Sequence, residues 1–106
     1  MNQIVKISLI SKSYTMNDIG VPIPKESKSD VFAQVYSVSQ AEFFNAGKEG
    51  LKPAAVYAVR VMEYDGQDEI EVNKQRFVVY RTFTRSDGRI ELYVNKRKNT
   101  NDIISV

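Results

Sequence analysis

Five carboxylates crowd into one stretch of the chain, and carboxylate oxygens are ligands that calcium prefers. They are Glu63, Asp65, Asp68, Glu69 and Glu71, in the run EYDGQDEIE. A calcium loop needs its oxygen ligands at fixed offsets, and this run lacks that spacing. We therefore interpret the run as a solvated turn, and we predict neither a metal site nor a cofactor.

Arginines interleave with aromatic residues in the second half of the chain, a combination that can stack single-stranded nucleic acid on a sheet face. The arginines are Arg60, Arg76, Arg81 and Arg85, and the aromatic residues are Tyr57, Phe77, Tyr80 and Phe83. The strict alternation is better explained by half-buried strands. The basic run Lys96-Arg97-Lys98 is short, and it is more typical of a charged strand end than of a phosphate site.

The residue types that are missing narrow the chemistry further. The chain has no cysteine and no histidine, which excludes disulfides, Cys/His zinc sites, thiol nucleophiles and histidine acid–base catalysis. The remaining serines, lysines and Glu42 lack a recognisable nucleophile–base spacing. We therefore expect a protein–protein interaction module and not an enzyme.

The distribution of charge and the length of the apolar segments limit the classes of partner that the chain can bind. Residues 1–53 hold six Lys/Arg against five Asp/Glu, and residues 54–106 hold nine against eight, so each half carries +1. A dedicated nucleic-acid binder usually concentrates its basic residues on one face. Lys6 and Lys12 interrupt the first apolar segment, and no apolar run approaches the roughly 20 residues of a membrane span. We expect no signal peptide and no membrane partner.

Any functional site must be positioned by the strands, which are predicted from segments of alternating apolar and polar residues separated by turn signals. These segments predict a mainly β fold: a small β-barrel or sandwich of about six antiparallel strands in one domain, residues 1–106. Residues 3–11, 31–38, 54–64, 69–83 and 89–98 supply the strands, with a tight hairpin inside 69–83. Residues 99–106 are expected to form a flexible tail or a last edge strand.

Two further expectations concern the loops and the core. Pro22, Pro24 and a Lys/Ser-rich run predict a loop or an edge segment over residues 17–30. The buried core is predicted from the apolar faces of the long strands. It should contain Val59, Val61, Phe77, Val79, Ile90 and Leu92.

One short helix or long loop, residues 39–50, is predicted between the second and third strands. Ser39 and Glu42 fit a capping box at its start, and Gly47 or Gly50 suits its end. Ala41 and Phe44, with Leu51, are expected near one helical face. The adjacent Phe43 and Phe44 lie about 100° apart on a helix, so a narrow contact stripe buries only one of them.

Three stretches together resemble the phage head–tail joining family, the head-closure, stopper and head–tail adaptor proteins of tailed bacteriophages. They are DVFAQVYSVSQAEFFNAGKEG, YAVRVMEYDGQDEIEVNKQRFVVYRTF and DGRIELYVNKRK. The matching positions are Ala33 to Val35, Ser39 to Glu42, Phe43 to Ala46, Arg60, Arg76 to Val78, and Asp87-Gly88. The resemblance covers about residues 3–98. The family's aromatic-rich hairpin near residues 14–29 is replaced here by Pro22, Pro24 and the Lys/Ser run.

The resemblance implies a structural role in the virion, at the head–tail interface, after assembly in the host cytoplasm. Such proteins form a ring beneath the portal and its adaptor ring, help to retain the packaged double-stranded DNA, and offer a docking surface to a tail or tail-completion protein. We expect the isolated chain to be a monomer that forms its ring only on the partner ring. The family's channel segment maps onto Val38 to Pro53. The residues implied in channel and partner contacts are Val38, Ser39, Glu42, Phe43, Phe44, Lys48 and Leu51, with Lys48 and Lys52 facing DNA.

Two other classes stay open. An OB-like barrel that binds single-stranded nucleic acid would show salt-dependent binding of an oligonucleotide by the monomer. A small enzyme-associated β-domain would bind a ligand in its barrel mouth, in a conspicuous apolar pocket.

Overall fold

Six antiparallel strands and one short helix form the protein in the computed structural model, which describes residues 3–96. The strands are β1 (Gln3–Met16), β2 (Pro22–Tyr36), β3 (Pro53–Arg60), β4 (Glu69–Val72), β5 (Gln75–Thr84) and β6 (Arg89–Lys96). The helix α1 (Gln40–Gly47) lies between β2 and β3 in the chain, and a 3-10 turn (Val61–Glu63) follows β3. The expected tail, residues 99–106, lies outside the described residues.

The strands close into a barrel in the order β1-β2-β3-β6-β5-β4, with β4 pairing back onto β1. The predicted class, a mainly β barrel of about six antiparallel strands with a helix between the second and third, is confirmed. Closure leaves no open sheet edge in the barrel wall. The pairing that closes the barrel is short, because β1 and β4 pair only over Ser8 to Ile10.

Apolar side chains from all six strands fill the barrel. Leu9, Val59, Ile70, Leu92 and Val94 have no exposed surface. Of the predicted core residues, Val59, Phe77, Ile90 and Leu92 are buried, and Val79 is half-buried. Interior side chains therefore fill the centre of the barrel.

The prediction for Val61 is wrong, because its side chain is 40% exposed. We expected β3 to continue to residue 64, but the strand ends at Arg60. The Val61 N–H donates to the Gly88 carbonyl, and the Tyr64 N–H donates back to the Val61 carbonyl. The chain thus coils into the 3-10 turn, and the strand alternation that would have pointed Val61 inward is lost.

The region expected to be a loop or an edge segment is mostly an edge segment. Only residues 17–21 form a turn, and from Pro22 onward the chain is strand, paired with β1 along its whole length. Pro22 and Pro24 are tolerated because β3 pairs only with Gln34 to Tyr36, so the other side of β2 is free there. The two prolines therefore do not interrupt the hairpin formed by β1 and β2.

The long hairpin leaves the barrel wall and continues as a two-stranded ribbon. Beyond Ile10 in β1, and before Gln34 in β2, the two strands pair only with each other. At the turn, the Asn17 side chain accepts from the N–H groups of Ile19 and Val21 at 3.0 and 2.8 Å. Gly20 takes the left-handed conformation, φ 82°, that closes this turn.

Ion pairs tie the base of the ribbon to the neighbouring strands β4 and β5. Glu69 is 8% exposed and accepts from Arg76 at 2.9 Å and from Lys12. Arg76 also donates to Glu26 at 3.2 Å, and Lys28 pairs with Glu71 at 2.9 Å. The expectation of a solvated carboxylate turn is therefore wrong for Glu69, whose burial is compensated by two cations.

Candidate functional site

The helix α1 begins at Ser39, as the sequence predicted. The Ser39 hydroxyl accepts from the Glu42 N–H at 3.1 Å, so the residue acts as the N-cap. The reciprocal half of the predicted capping box is replaced by a tertiary contact. The Glu42 carboxylate reaches across to strand β5, where it accepts from Tyr80 and Arg81.

The helix ends in a Schellman motif at Gly50. The Leu51 N–H donates to the Ala46 carbonyl and the Gly50 N–H donates to the Gly47 carbonyl, both at 3.0 Å. Gly50 has φ 80°, the left-handed conformation that this motif requires and that glycine adopts without strain. Of the two glycines expected at the helix end, Gly50 fills the C-terminal position and Gly47 is the last helical residue.

A β-bulge in strand β5 brings two consecutive side chains to the same carboxylate. Val79 pairs with Val94 and Arg81 pairs with Tyr93, so Tyr80 is an extra residue in the ladder. Without the bulge, Tyr80 and Arg81 would point to opposite faces of the sheet. With it, Tyr80 donates to Glu42 at 2.6 Å, and Arg81 forms a two-pronged contact with the same group. We call Glu42, Tyr80 and Arg81 the Glu42 anchor.

The anchor is well shielded on the carboxylate side. The Glu42 side chain is 13% exposed, whereas that of Arg81 is 45% exposed. The hydrogen bonds from Arg81 hold the pKa of the Glu42 carboxyl below its usual range. Burial, followed by the hydrogen bond to Glu42, raises the pKa of the Tyr80 hydroxyl. The arrangement therefore keeps a charged carboxylate facing a neutral phenol and a charged guanidinium.

Further aromatic and arginine side chains surround the anchor on the outer face of the barrel. The Arg81 guanidinium stacks 3.7 Å from the Tyr93 ring centroid, and Arg85 donates to the Tyr36 hydroxyl at 3.2 Å. Arg85 also pairs with Asp87 at 2.6 Å. These arginines are already engaged by carboxylates and tyrosines, so the interleaved pattern seen in the sequence builds an intramolecular cluster.

The helix packs on the barrel through a small face. Ala46 is its one buried residue, and Val56 on the outer side of β3 is also buried. We expected Ala41 and Phe44 near one helical face, and both are exposed. The Glu42 anchor and Ala46 instead set the rotation of the helix, which turns Ala41 and Phe44 outward.

Both phenylalanines of the helix face solvent. Phe43 is 56% exposed and Phe44 is 66% exposed, although we expected a narrow stripe to bury one of them. The Lys48 ammonium lies 4.7 Å from the Phe44 ring centroid, a cation–π contact. Exposed aromatic pairs of this kind are typical of surfaces that bind a partner.

The predicted site residues divide between the two sides of the helix. Val38, Ser39, Phe43 and Phe44 line a shallow groove of about 740 Å³ together with Gln40 and Ala41, which we call the helix groove. Glu42 and Leu51 instead line a cleft between the helix and strand β5. Lys48 and Lys52 follow the helix within the same segment, and both are exposed. The predicted set is therefore one segment with two surfaces, an anchoring side and a solvent side.

A second exposed apolar surface was missed by the sequence analysis. It is the hairpin tip, residues 13–24. Five apolar side chains there are between 45% and 82% exposed: Tyr14, Met16, Ile19, Val21 and Ile23. The signal was present in the alternation on either side of Asn17 to Gly20, but the prolines led us to predict only a loop or an edge segment there.

Within residues 3–96, no helix has the length and apolar composition that crossing a bilayer requires. Across the same residues, no group of three or more carboxylates is gathered closely enough to hold a metal ion. Comparison of the chain with models of protein families found no match, and comparison with curated proteins found none either.

Proposed function

We propose that this protein is a structural component of a bacteriophage head-to-tail connector. In this role it forms a ring beneath the portal and its adaptor, helps to retain the packaged genome, and gives the tail a docking surface. The proposal rests on the resemblance of residues 3–98 to head–tail joining proteins, and the geometry of the two exposed surfaces supports it.

The structural observation that carries the proposal is the pair of apolar surfaces at opposite ends of the long hairpin. The helix groove follows the end of β2, and the hairpin tip includes its start. A subunit of a ring contacts its two neighbours through two different patches, because such interfaces are head-to-tail. A barrel with two separate apolar patches, at distinct ends, meets that requirement.

The segment Val38 to Pro53 is the proposed channel or partner element. Its helix is only eight residues long, which is marginal without tertiary support. The Glu42 anchor supplies that support on one side and leaves Phe43 and Phe44 free on the other. A partner can therefore bind the aromatic side without disturbing the barrel core.

Localisation in the virion tests this function. In particles of a phage that encodes the chain, antibody against it should label the junction of head and tail. Heads assembled without it should package DNA, then lose it and remain without tails. Full retention of DNA and normal tails in its absence would contradict the proposal.

A second candidate, single-stranded nucleic-acid binding, is favoured by one specific observation. Arg60 of β3 and Arg89 of β6 lie directly opposite each other on the outer face, and Phe32, 68% exposed, lines the same groove. Glu63 also lines this groove, so the two arginines leave it with one net positive charge. Like charges opposite each other in a sheet repel, so an anion between them would be stabilising. An exposed aromatic ring beside two guanidinium groups is a platform for base stacking.

Oligonucleotide binding separates the two candidates. The second candidate predicts that the isolated monomer binds single-stranded DNA with an affinity that falls steeply with salt, and that Arg60→Ala weakens it. Arg85→Ala is the matched control, because that guanidinium is already paired with Asp87. The connector role predicts negligible binding at physiological salt, and equal behaviour of both variants.

A further inference from the structure

The hairpin tip has a composition that needs a partner. Residues 13–24 carry five exposed apolar side chains and a single charge, Asp18. Soluble proteins rarely leave such a concentration of apolar surface in water without a binding role. The turn is held by the hydrogen bonds of Asn17, so the tip is ordered before it binds.

The helix groove has the complementary properties. It is shallow and lined mainly by apolar groups, including Phe43 and Phe44. Lys48 stands beside it, with its ammonium group over the Phe44 ring. An apolar tip with one negative charge, Asp18, thus matches a shallow apolar groove with an adjacent positive charge, Lys48.

The two surfaces of one chain cannot meet each other. Strand β2 has 15 residues, and its residues after the tip, 25–36, separate the tip from the helix. At about 3.3 Å per residue, these residues span roughly 40 Å. A contact between the tip and the groove must therefore be intermolecular.

We propose that the hairpin tip of one subunit docks into the helix groove of a second copy of this chain, with Asp18 of the tip facing Lys48 of the groove. The contact joins two different patches, so it is head-to-tail and propagates around a ring when the rotation closes. This inference deepens the proposed ring role and rests on it for the closed geometry. It also identifies the hairpin tip as the group that covers the exposed Phe43 and Phe44 of the groove.

Cross-linking tests the contact directly, because the wild-type chain has no cysteine. One chain carries Ser13→Cys at the rim of the tip and is labelled with nitrogen-15. A second, unlabelled chain carries Gln40→Cys at the rim of the groove. A flexible bis-maleimide is added to the mixture, and mass spectrometry separates the mixed dimer from the two homodimers.

The mixed dimer should exceed its statistical share of the cross-linked product. Asp18→Lys in the first chain should abolish the excess, and Lys48→Glu in the second chain should then restore it. Asp68→Lys, a charge reversal at an exposed site away from both patches, should leave the excess unchanged. A statistical share of mixed dimer, or an excess that Asp18→Lys leaves intact, overturns the inference.

The outcome is independent of the test of the connector role. A ring at the head–tail junction without enrichment of the mixed dimer would overturn this contact and leave the connector standing. Enrichment of the mixed dimer in a protein that is absent from the virion would do the reverse.

Discussion

The barrel interior and the helix α1 are stabilised by different means. The interior is built from apolar side chains contributed by every strand, and several of them are fully buried. The helix buries Ala46 alone and depends on one carboxylate, Glu42, held by Tyr80 and Arg81. Apolar burial resists small changes of conditions, whereas a charged contact depends on protonation and on both partners being present.

This difference teaches how a small domain can present an aromatic surface. A helix attached by its own apolar face would have to bury Phe43 or Phe44. Attachment through a polar anchor leaves both rings on the solvent side. The strength of the attachment can then change without any change in the core.

The largest effect is expected in the barrel. Phe77→Ala should destabilise the protein by about 3–5 kcal/mol, because it removes a large buried side chain and leaves a cavity. Val61→Ala is the matched control and should cost less than about 1 kcal/mol, since Val61 is exposed in the 3-10 turn. Urea unfolding followed by far-ultraviolet circular dichroism measures both. Equal losses for the two variants would mean that the interior does not hold the barrel together.

A smaller effect is expected at the anchor. Glu42→Gln removes the charge that Arg81 faces and should lower the free energy of unfolding by about 1–2 kcal/mol, reduced by the partial exposure of Arg81. Amide exchange should accelerate over residues 40–51 and stay unchanged in β3 and β6. Glu49→Gln, an exposed site in the same segment, is the control. Unchanged exchange in the Glu42 variant would show that Ala46 alone fixes the helix.

Acid should weaken the same anchor selectively. The native pKa of Glu42 is lowered, so its contribution to stability is complete above the usual carboxyl value of 4.5 and is lost as the pH falls through the lowered pKa. The hydrogen bonds from Arg76 also lower the pKa of the Glu26 carboxyl, so acid weakens that ion pair as well. The informative quantity is therefore the difference in helix amide exchange between wild type and Glu42→Gln. That difference should shrink on acidification; a constant difference down to pH 2 would refute the assignment.

The smallest effect on stability is expected at the aromatic surface. Phe43→Ala should change the free energy of unfolding by less than about 1 kcal/mol, because the side chain is already half in water. The same variant should impair ring formation or DNA retention. Ala41→Ser, exposed on the same groove, controls for non-specific effects. A stability loss as large as that of Phe77→Ala would place this ring in the core.

Much of the fold was predictable because the signals were local. Alternation gave the strands, and the Asn73-Lys74 turn adopts positive φ at both residues, as a tight two-residue hairpin requires. The N-cap at Ser39 and a glycine at the helix end were also predictable from residue types alone. Each of these features depends on a few neighbouring residues.

The rest depended on contacts between distant residues. The bulge at Tyr80 shifts the register of β5 against β6, and nothing in VVYRTF marks the extra residue. Because the bulge directs both Tyr80 and Arg81 to Glu42, the helix rotation could not be derived from the helix sequence. The ribbon could not be predicted from the prolines, since a free strand edge tolerates them as readily as a loop does.

Those two prolines also affect how the protein behaves at high concentration. A projecting ribbon with an unpaired backbone edge is a template on which further chains can add as strands, and such growth leads to fibres. Pro22 and Pro24 offer no N–H along that edge of β2, and Lys25 adds charge beside it. The β2 edge of the ribbon is therefore a poor template for cross-β stacking, and association on this side is directed to the apolar side chains of the turn.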